Sequence, residues 1–154
     1  WDSLTELCLL YAARRDHWVK LIKPKLEQGI WVISDRFADS SIVYQGYAGD
    51  IELDTVLNIH NVVLGEVWPD LTIILDLPPE LGLERSNKRD TANNSKDTRF
   101  EKRELQFHKL LRKGFLYLQS KSPDRVCVVD GTKTIEEVEL EVFSIIKKRF
   151  VGLM

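Results

Sequence analysis

"LTIILDL", residues 71–77, decides the fold. Its side chains are almost continuously apolar and do not alternate with polar ones. That pattern predicts a strand covered on both faces, as in a parallel sheet. Two further runs have the same character: "IWVIS" at 30–34 and "VCVVD" at 126–130. Helical patterns fall between and around them. The first spans roughly 2 to 28 and ends at Gly29, a residue suited to the left-handed position after a helix. Others cover about 52–65, begin near Pro78-Pro79, where proline suits a first turn, and run from about Phe100 to Ser120. The last starts at Thr134 with Glu137 three residues on, the signature of a capping box. Strands alternating with helices predict an α/β doubly wound parallel sheet flanked by helices. Three strands are few for such a sheet, and the chain opens on "WDSLTELCLL", already helical and without an initiator Met. The expectation is that an N-terminal part of the fold precedes residue 1.

Length and composition narrow the class. The 154 residues suit one domain, 1–154, with a real core. With 44% hydrophobic and 30% charged residues the chain reads as globular and soluble. A formal net charge of -2 gives no general drive toward nucleic acid or an anionic membrane. No apolar run approaches the ~20 residues of a membrane span, and no signal peptide is visible. Cys8 and Cys127 both lie in apolar runs and are expected as buried free thiols in a reducing compartment. No Cys/His spacing suggests zinc.

The chemistry concentrates in "SDRFADSSIVYQG", residues 34–46. Ligands of α/β sheets bind beyond the carboxyl ends of strands, where Asp35 and Arg36 follow the "IWVIS" run. Arginine offers phosphate two parallel charge-assisted bonds, and an aspartate beside it could hold magnesium through water. An Asp–Arg ion pair closing the strand is an equal alternative on position alone. In the first helix Leu4, Leu7, Tyr11, Trp18 and Ile22 form one apolar stripe at 100° per residue, flanked by Arg14 and Arg15. A charge facing a core must be paired or meet a ligand, though one arginine could keep its head in water. Leu10 and Arg14 are i, i+4 neighbours, a flat apolar contact beside a donor. Gln45, next to Tyr44, can donate and accept at once and so read a base edge, and a polar start to a helix is an equal alternative for these two residues. Finally, "RSNKRDTANNSKDTR", residues 85–99, has Ala92 as its one apolar residue and carries Arg85, Lys88, Arg89, Lys96 and Arg99. It is either a solvated loop or a basic lid over phosphates.

Together these segments resemble the bacterial thymidylate kinase (dTMP kinase) family. "YAARRDH" and "IKPKLEQGIWVISDRFADSSIVYQG" are similar to its central signature, "PDLTIILDLPPELGLERSNKR" to the next strand and the start of the lid. "TRFE" and "FHKLLRKGFLYL" resemble the segment after the lid, and "VVDGTKTIEEV" the last strand and the loop bordering the adenine. The order is the same, and the match spans nearly the whole chain.

The resemblance implies a P-loop nucleoside-monophosphate-kinase-like fold and transfer of the ATP γ-phosphoryl group to dTMP, giving dTDP and ADP in dTTP synthesis. It also implies Mg2+, a homodimer and a cytoplasmic enzyme with no nucleic acid or membrane partner. Arg36 resembles the clamp on the dTMP phosphate, and Asp35 the acid supporting magnesium. Arg14 resembles the donor to thymine O4, Ser41 and Gln45 the groups on the N3/O4 edge, and Tyr44 the ring beside the deoxyribose. Arg89 and Arg99 resemble phosphate-binding lid arginines, with Arg85 toward the adenine, and Asp130, Gly131 and Thr132 border that base.

Two departures stand out. Leu10 occupies the position where the family stacks a phenylalanine on thymine, which gives up aromatic stacking. No G-x-x-x-x-G-K-[ST] occurs in these residues, so the loop that holds the ATP phosphates is expected upstream, and the isolated chain is not expected to turn over. The alternatives are another nucleoside or nucleoside-monophosphate kinase of the same fold, or a non-catalytic nucleotide-binding fragment.

Overall fold

The computed structural model describes residues 1–89 and 98–151. The chain divides into two units, Trp1–Pro69 and Asp70–Met154.

The first unit is helical. Its long N-terminal pattern forms α1 (Ser3–His17), a π-helical stretch (Trp18–Ile22) and α2 (Lys23–Glu27). Asp2 caps α1, its carboxylate accepting from the Thr5 backbone N–H at 3.0 Å and the Thr5 hydroxyl at 2.6 Å. The widened turn has a local cause. Pro24 lacks an N–H, and its ring would press on the carbonyl four residues back. Just before it, the Lys23 N–H reaches back five residues to the Trp18 carbonyl, so the turn opens where the proline needs room. Gly29 ends the run as its sequence position predicts, with φ +72.

The "IWVIS" run does not form the expected strand. Residues 30–34 carry no strand assignment, and Ile33 is 94% exposed. β-branched, apolar composition favours a strand, but backbone groups need a ladder partner. The two strands of the described residues pair with each other in the second unit. After this segment come α3 (Ala38–Ser41) and a second π-helical stretch (Ile42–Tyr47). Tyr44 and Gln45 therefore sit on a wide helical turn. α4 (Leu53–Leu64) buries Val56, His60 and Leu64 at four-residue spacing. It packs close to Gly46, where a Cβ would come within 2.7 Å of Leu53 Cδ2.

Leu7, Tyr11, Ile22, Val43 and Val56 form the centre of this unit's core. His60 is wholly buried among them, its ring stacked on Trp68 at 3.9 Å and its Nδ1 3.5 Å from the Tyr11 hydroxyl. The stripe read from sequence is thus buried at Leu7, Tyr11 and Ile22, while Leu4 is exposed. Cys8, expected inside, is exposed because it lies one step around the helix from Leu7; Cys127 is half-buried, and both are free.

The second unit contains the parallel pair β1 (Thr72–Asp76) and β2 (Val126–Asp130), in register from Thr72 opposite Val126 to Asp76 opposite Asp130. Between them run α5 (Pro79–Arg89) and α6 (Thr98–Lys121), and α7 (Ile135–Arg149) follows β2. Pro79 opens α5 as expected, and the capping box of Thr134 and Glu137 is fully formed. The segment read as a loop, 85–99, is helical at both ends, since α5 runs to Arg89 and α6 starts at Thr98; residues 90–97 lie outside the described residues. Lysine and arginine are good helix formers and carry α5 on past its apolar turns. α6 lays Leu111 and Leu118, seven residues apart, into a core with Val126 and Val129. No described helix is long and apolar enough to cross a membrane.

Burial pushes the Tyr11 phenol up to about 12, with Arg14 opposing the rise and Asp39 adding to it. The folded chain therefore holds this proton more tightly than the unfolded chain does. The stabilisation is complete below pH 10 and is lost as pH rises to about 12, a fall of about 2–3 kcal/mol. Denaturant titrations across that range should show the fall in the wild-type chain and its absence in Tyr11→Phe. Parallel pH profiles for the two would contradict this account.

Candidate active site

Arg14 projects from the last turns of α1 into a half-buried position. Its Nη2 donates to Ser41 Oγ at 3.0 Å. Its guanidinium lies 4.5 Å from the centre of the Tyr11 ring and 5.6 Å from that of Phe37. Burial lowers the Arg14 pKa, while Tyr11 and the buried Asp39 act to raise it. Its Nη1 is buried and makes no hydrogen bond to the described residues. An orphaned buried donor is costly in a purely structural arginine, and it fits a site that awaits an acceptor. Arg15, paired with it in the sequence reading, behaves otherwise. It is exposed and donates to the Val63 carbonyl at 3.1 Å, satisfying the end of α4. A groove of about 890 Å³ beside it, lined by Ala12, Val19 and Val62 among others, contains none of the residues predicted for the site.

Ser41 closes α3, and the following π-helical stretch presents Tyr44 and Gln45. Gln45 Nε2 donates to Glu6 Oε1 on α1 at 2.9 Å. Leu10, one turn before Arg14, is 39% exposed and offers an apolar surface there. The first unit thus links α1 to the 38–47 segment through Arg14–Ser41 and Glu6–Gln45.

Arg36 is the one non-glycine among the described residues with a positive φ, +68. Such a backbone costs on the order of 1 kcal/mol and persists only when its surroundings hold it. Here the Ser34 hydroxyl donates to the Arg36 carbonyl at 2.9 Å. The guanidinium lies 4.7 Å over the Tyr44 ring, and Nη2 donates to the Tyr44 hydroxyl at 3.0 Å. Arg36 is therefore braced by Tyr44 rather than by the neighbouring Asp35, and its head stays exposed. Asp35 is also exposed, and no group of three or more potential metal ligands occurs among the described residues. A single open carboxylate suits magnesium that keeps most of its waters.

In the second unit, Arg85 Nη1 donates to the Gly131 carbonyl at 2.8 Å. Asp130 Oδ1 accepts from the Thr132 N–H at 2.9 Å and the Thr132 hydroxyl at 2.6 Å, and these bonds lower the Asp130 pKa. Arg85, Asp130, Gly131 and Thr132, predicted as one group, are brought together at the end of β2. The Gly131 N–H donates to the Asp76 carbonyl at 2.7 Å, and a Cβ on Gly131 would meet that oxygen at 3.2 Å. The side chains of Arg89 and Arg99 lie outside the described residues.

Sequence reading missed several partners. Asp76 and Arg112 form a two-pronged pair at 2.7 and 2.8 Å. Asp39, 4% exposed, is the buried acid near Arg14, and nothing in a polar run marks it as internal. Glu6 reads from sequence as an ordinary acid in a first helical turn.

A protein-family comparison matches residues 1–142 to the family described as "Thymidylate kinase". The thymidylate kinase of Caulobacter vibrioides is 41% identical over 149 residues, 97% of this chain and 69% of that protein. That of Cereibacter sphaeroides is 41% identical over 139 residues, 90% of this chain and 64% of that protein. The crystal structure of thymidylate kinase from Ehrlichia chaffeensis, an α/β nucleoside-monophosphate-kinase fold, matches with a TM-score of 0.71 at 34% identity, over 96% of this chain and 66% of that one. The chain thus spans about two-thirds of the length of these relatives, all of them enzymes. With sequence, fold and family match in agreement over nearly its whole length, the chain belongs to the thymidylate kinase family.

Proposed function

We propose that the first unit holds dTMP as phosphoryl acceptor, and that the protein transfers the ATP γ-phosphoryl group to it, giving dTDP and ADP. The observation that carries this reading is the buried, unmatched Nη1 of Arg14, whose Nη2 donates to Ser41. A thymine O4 is an acceptor of the right kind for it. Leu10 gives the base an apolar face, and Tyr44 stands beside the sugar. Arg36, its backbone fixed and its guanidinium braced by Tyr44, takes the 5′-phosphate with two parallel bonds.

Phosphoryl transfer needs two mutually repelling anions aligned and their charge neutralised. Arg36 supplies charge on the acceptor side, and Arg89 and Arg99 on the transferred group. Magnesium supplies further neutralisation when bound, and Asp35 would hold it through water. Arg85 and the Asp130–Thr132 turn border the adenine. The enzyme is cytoplasmic and works as a homodimer. The exposed Val19 and Val62, which line one groove of the first unit, support pairing of two copies.

Calorimetric titration of dTMP into this chain, without ATP, tests the acceptor site. Saturable binding is expected, with dCMP at least about tenfold weaker, the lower end of what losing one charged hydrogen bond costs. Absence of binding, or equal binding of both nucleotides, would overturn the assignment.

Arg36→Ala should weaken dTMP by about 10- to 100-fold and leave thymidine, which has no phosphate, unchanged. Equal losses for nucleotide and nucleoside would remove Arg36 from phosphate binding.

A further inference from the structure

The contact between Gln45 and Glu6 fixes more than a distance. Gln45 Nε2 donates to Glu6 Oε1 at 2.9 Å. An ionised carboxylate only accepts hydrogen bonds, whereas an amide has one donating and one accepting arm. Turning the amide over would place two acceptors against each other. Glu6 therefore permits one amide orientation, with one N–H of the NH2 arm on the carboxylate and Oε1 left for whatever else Gln45 meets. The expectation that Gln45 reads an edge with both arms is accordingly narrowed to one fixed orientation of them.

We infer that Glu6 is a positioning residue that sets pyrimidine specificity by locking Gln45 as an acceptor. The inference rests on the reading of the first unit as the dTMP site. Thymine and uracil present an N3–H donor beside an O4 acceptor. Cytosine presents the reverse, a bare N3 acceptor beside an N4 amine. A locked Gln45 Oε1 pairs with N3–H and opposes a bare N3. The guanidinium of Arg14 is a permanent donor, which pairs with O4 and opposes an amine. Arginine needs no help to be a donor. A free glutamine, by contrast, turns over at little cost and accepts either base. Discrimination at N3 therefore resides in Glu6, a residue 39 positions away in sequence from the group that makes the contact.

The test compares affinities for dTMP, dUMP and dCMP in the wild-type chain, Glu6→Gln and Glu6→Lys. Glu6 is an exposed helix residue, so both variants are expected to keep the wild-type unfolding midpoint. Glutamine at position 6 satisfies either orientation of Gln45. The dTMP:dCMP affinity ratio should fall about tenfold while dTMP:dUMP stays constant, because both of those bases carry N3–H. Lysine can only donate and turns the amide over, so Glu6→Lys should lower the ratio further. Its changed charge acts on all three phosphates alike and cancels in the ratio. A wild-type chain that prefers dTMP, with variants that weaken all three nucleotides equally, would overturn the role given to Glu6. A wild-type chain that binds without preferring dTMP would instead overturn the base-reading assignment beneath it.

Discussion

Arg14 is a charge that the first unit has taken partly out of water, and much of that unit's arrangement answers to it. The guanidinium rests on the Tyr11 ring, bonds Ser41 and lies near the buried Asp39. Tyr11 stands one turn before it on α1, and Ser41 and Asp39 both stand on α3. Tyr11 is itself locked into the core beside His60, which is stacked on Trp68. A cation buried without partners would be pushed toward deprotonation or back to solvent. Here it is held by aromatic faces and one hydroxyl, and one donor is left over. The core is thus built around a polar group whose hydrogen bonding the described residues do not complete.

The proposed acceptor site divides its labour between rigid and strained backbone. Arg14 and Leu10 stand on a capped helix, where position is set by packing and regular geometry. Arg36 stands on a short irregular segment in a backbone conformation that side chains avoid. Recognition of a base needs donors and acceptors at fixed places, and helices supply that. Grip on a phosphate needs a guanidinium turned outward at one point, and a single left-handed residue supplies that without a long loop. The second unit shows a comparable economy. Gly131 binds the end of β1 through its N–H and the tip of Arg85 through its carbonyl, so one small residue fastens two elements.

Local signals read well from the sequence, and partnered ones did not. Gly29, Pro79 and the Thr134–Glu137 box mark helix ends through backbone chemistry that acts within a few residues, and each ended or began a helix as read. β1 and β2 were legible because their apolar runs find each other. "IWVIS" has the same composition, yet composition cannot supply the neighbouring strand that a ladder needs, and residues 30–34 form none. The site followed the same rule. Arg14, Ser41, Gln45, Tyr44 and Arg36 were named from one helix and one short segment; hydrogen bonds join Arg14 to Ser41 and Arg36 to Tyr44, while Gln45 bonds Glu6 instead. Asp39, Glu6 and the Asp76–Arg112 pair were missed because each matters only through a partner distant along the chain.

The left-handed backbone at Arg36 sets folding and function against each other at a single position. Glycine adopts a φ of +68 at no steric cost, so selection for a sturdier fold alone would favour losing the side chain there. The guanidinium's contacts with Tyr44 and its proposed use argue for keeping it. Laboratory evolution toward thermostability would therefore tend to erode this residue early, and a variant recovered for heat resistance would have traded away the proposed phosphate grip without any visible damage to its core.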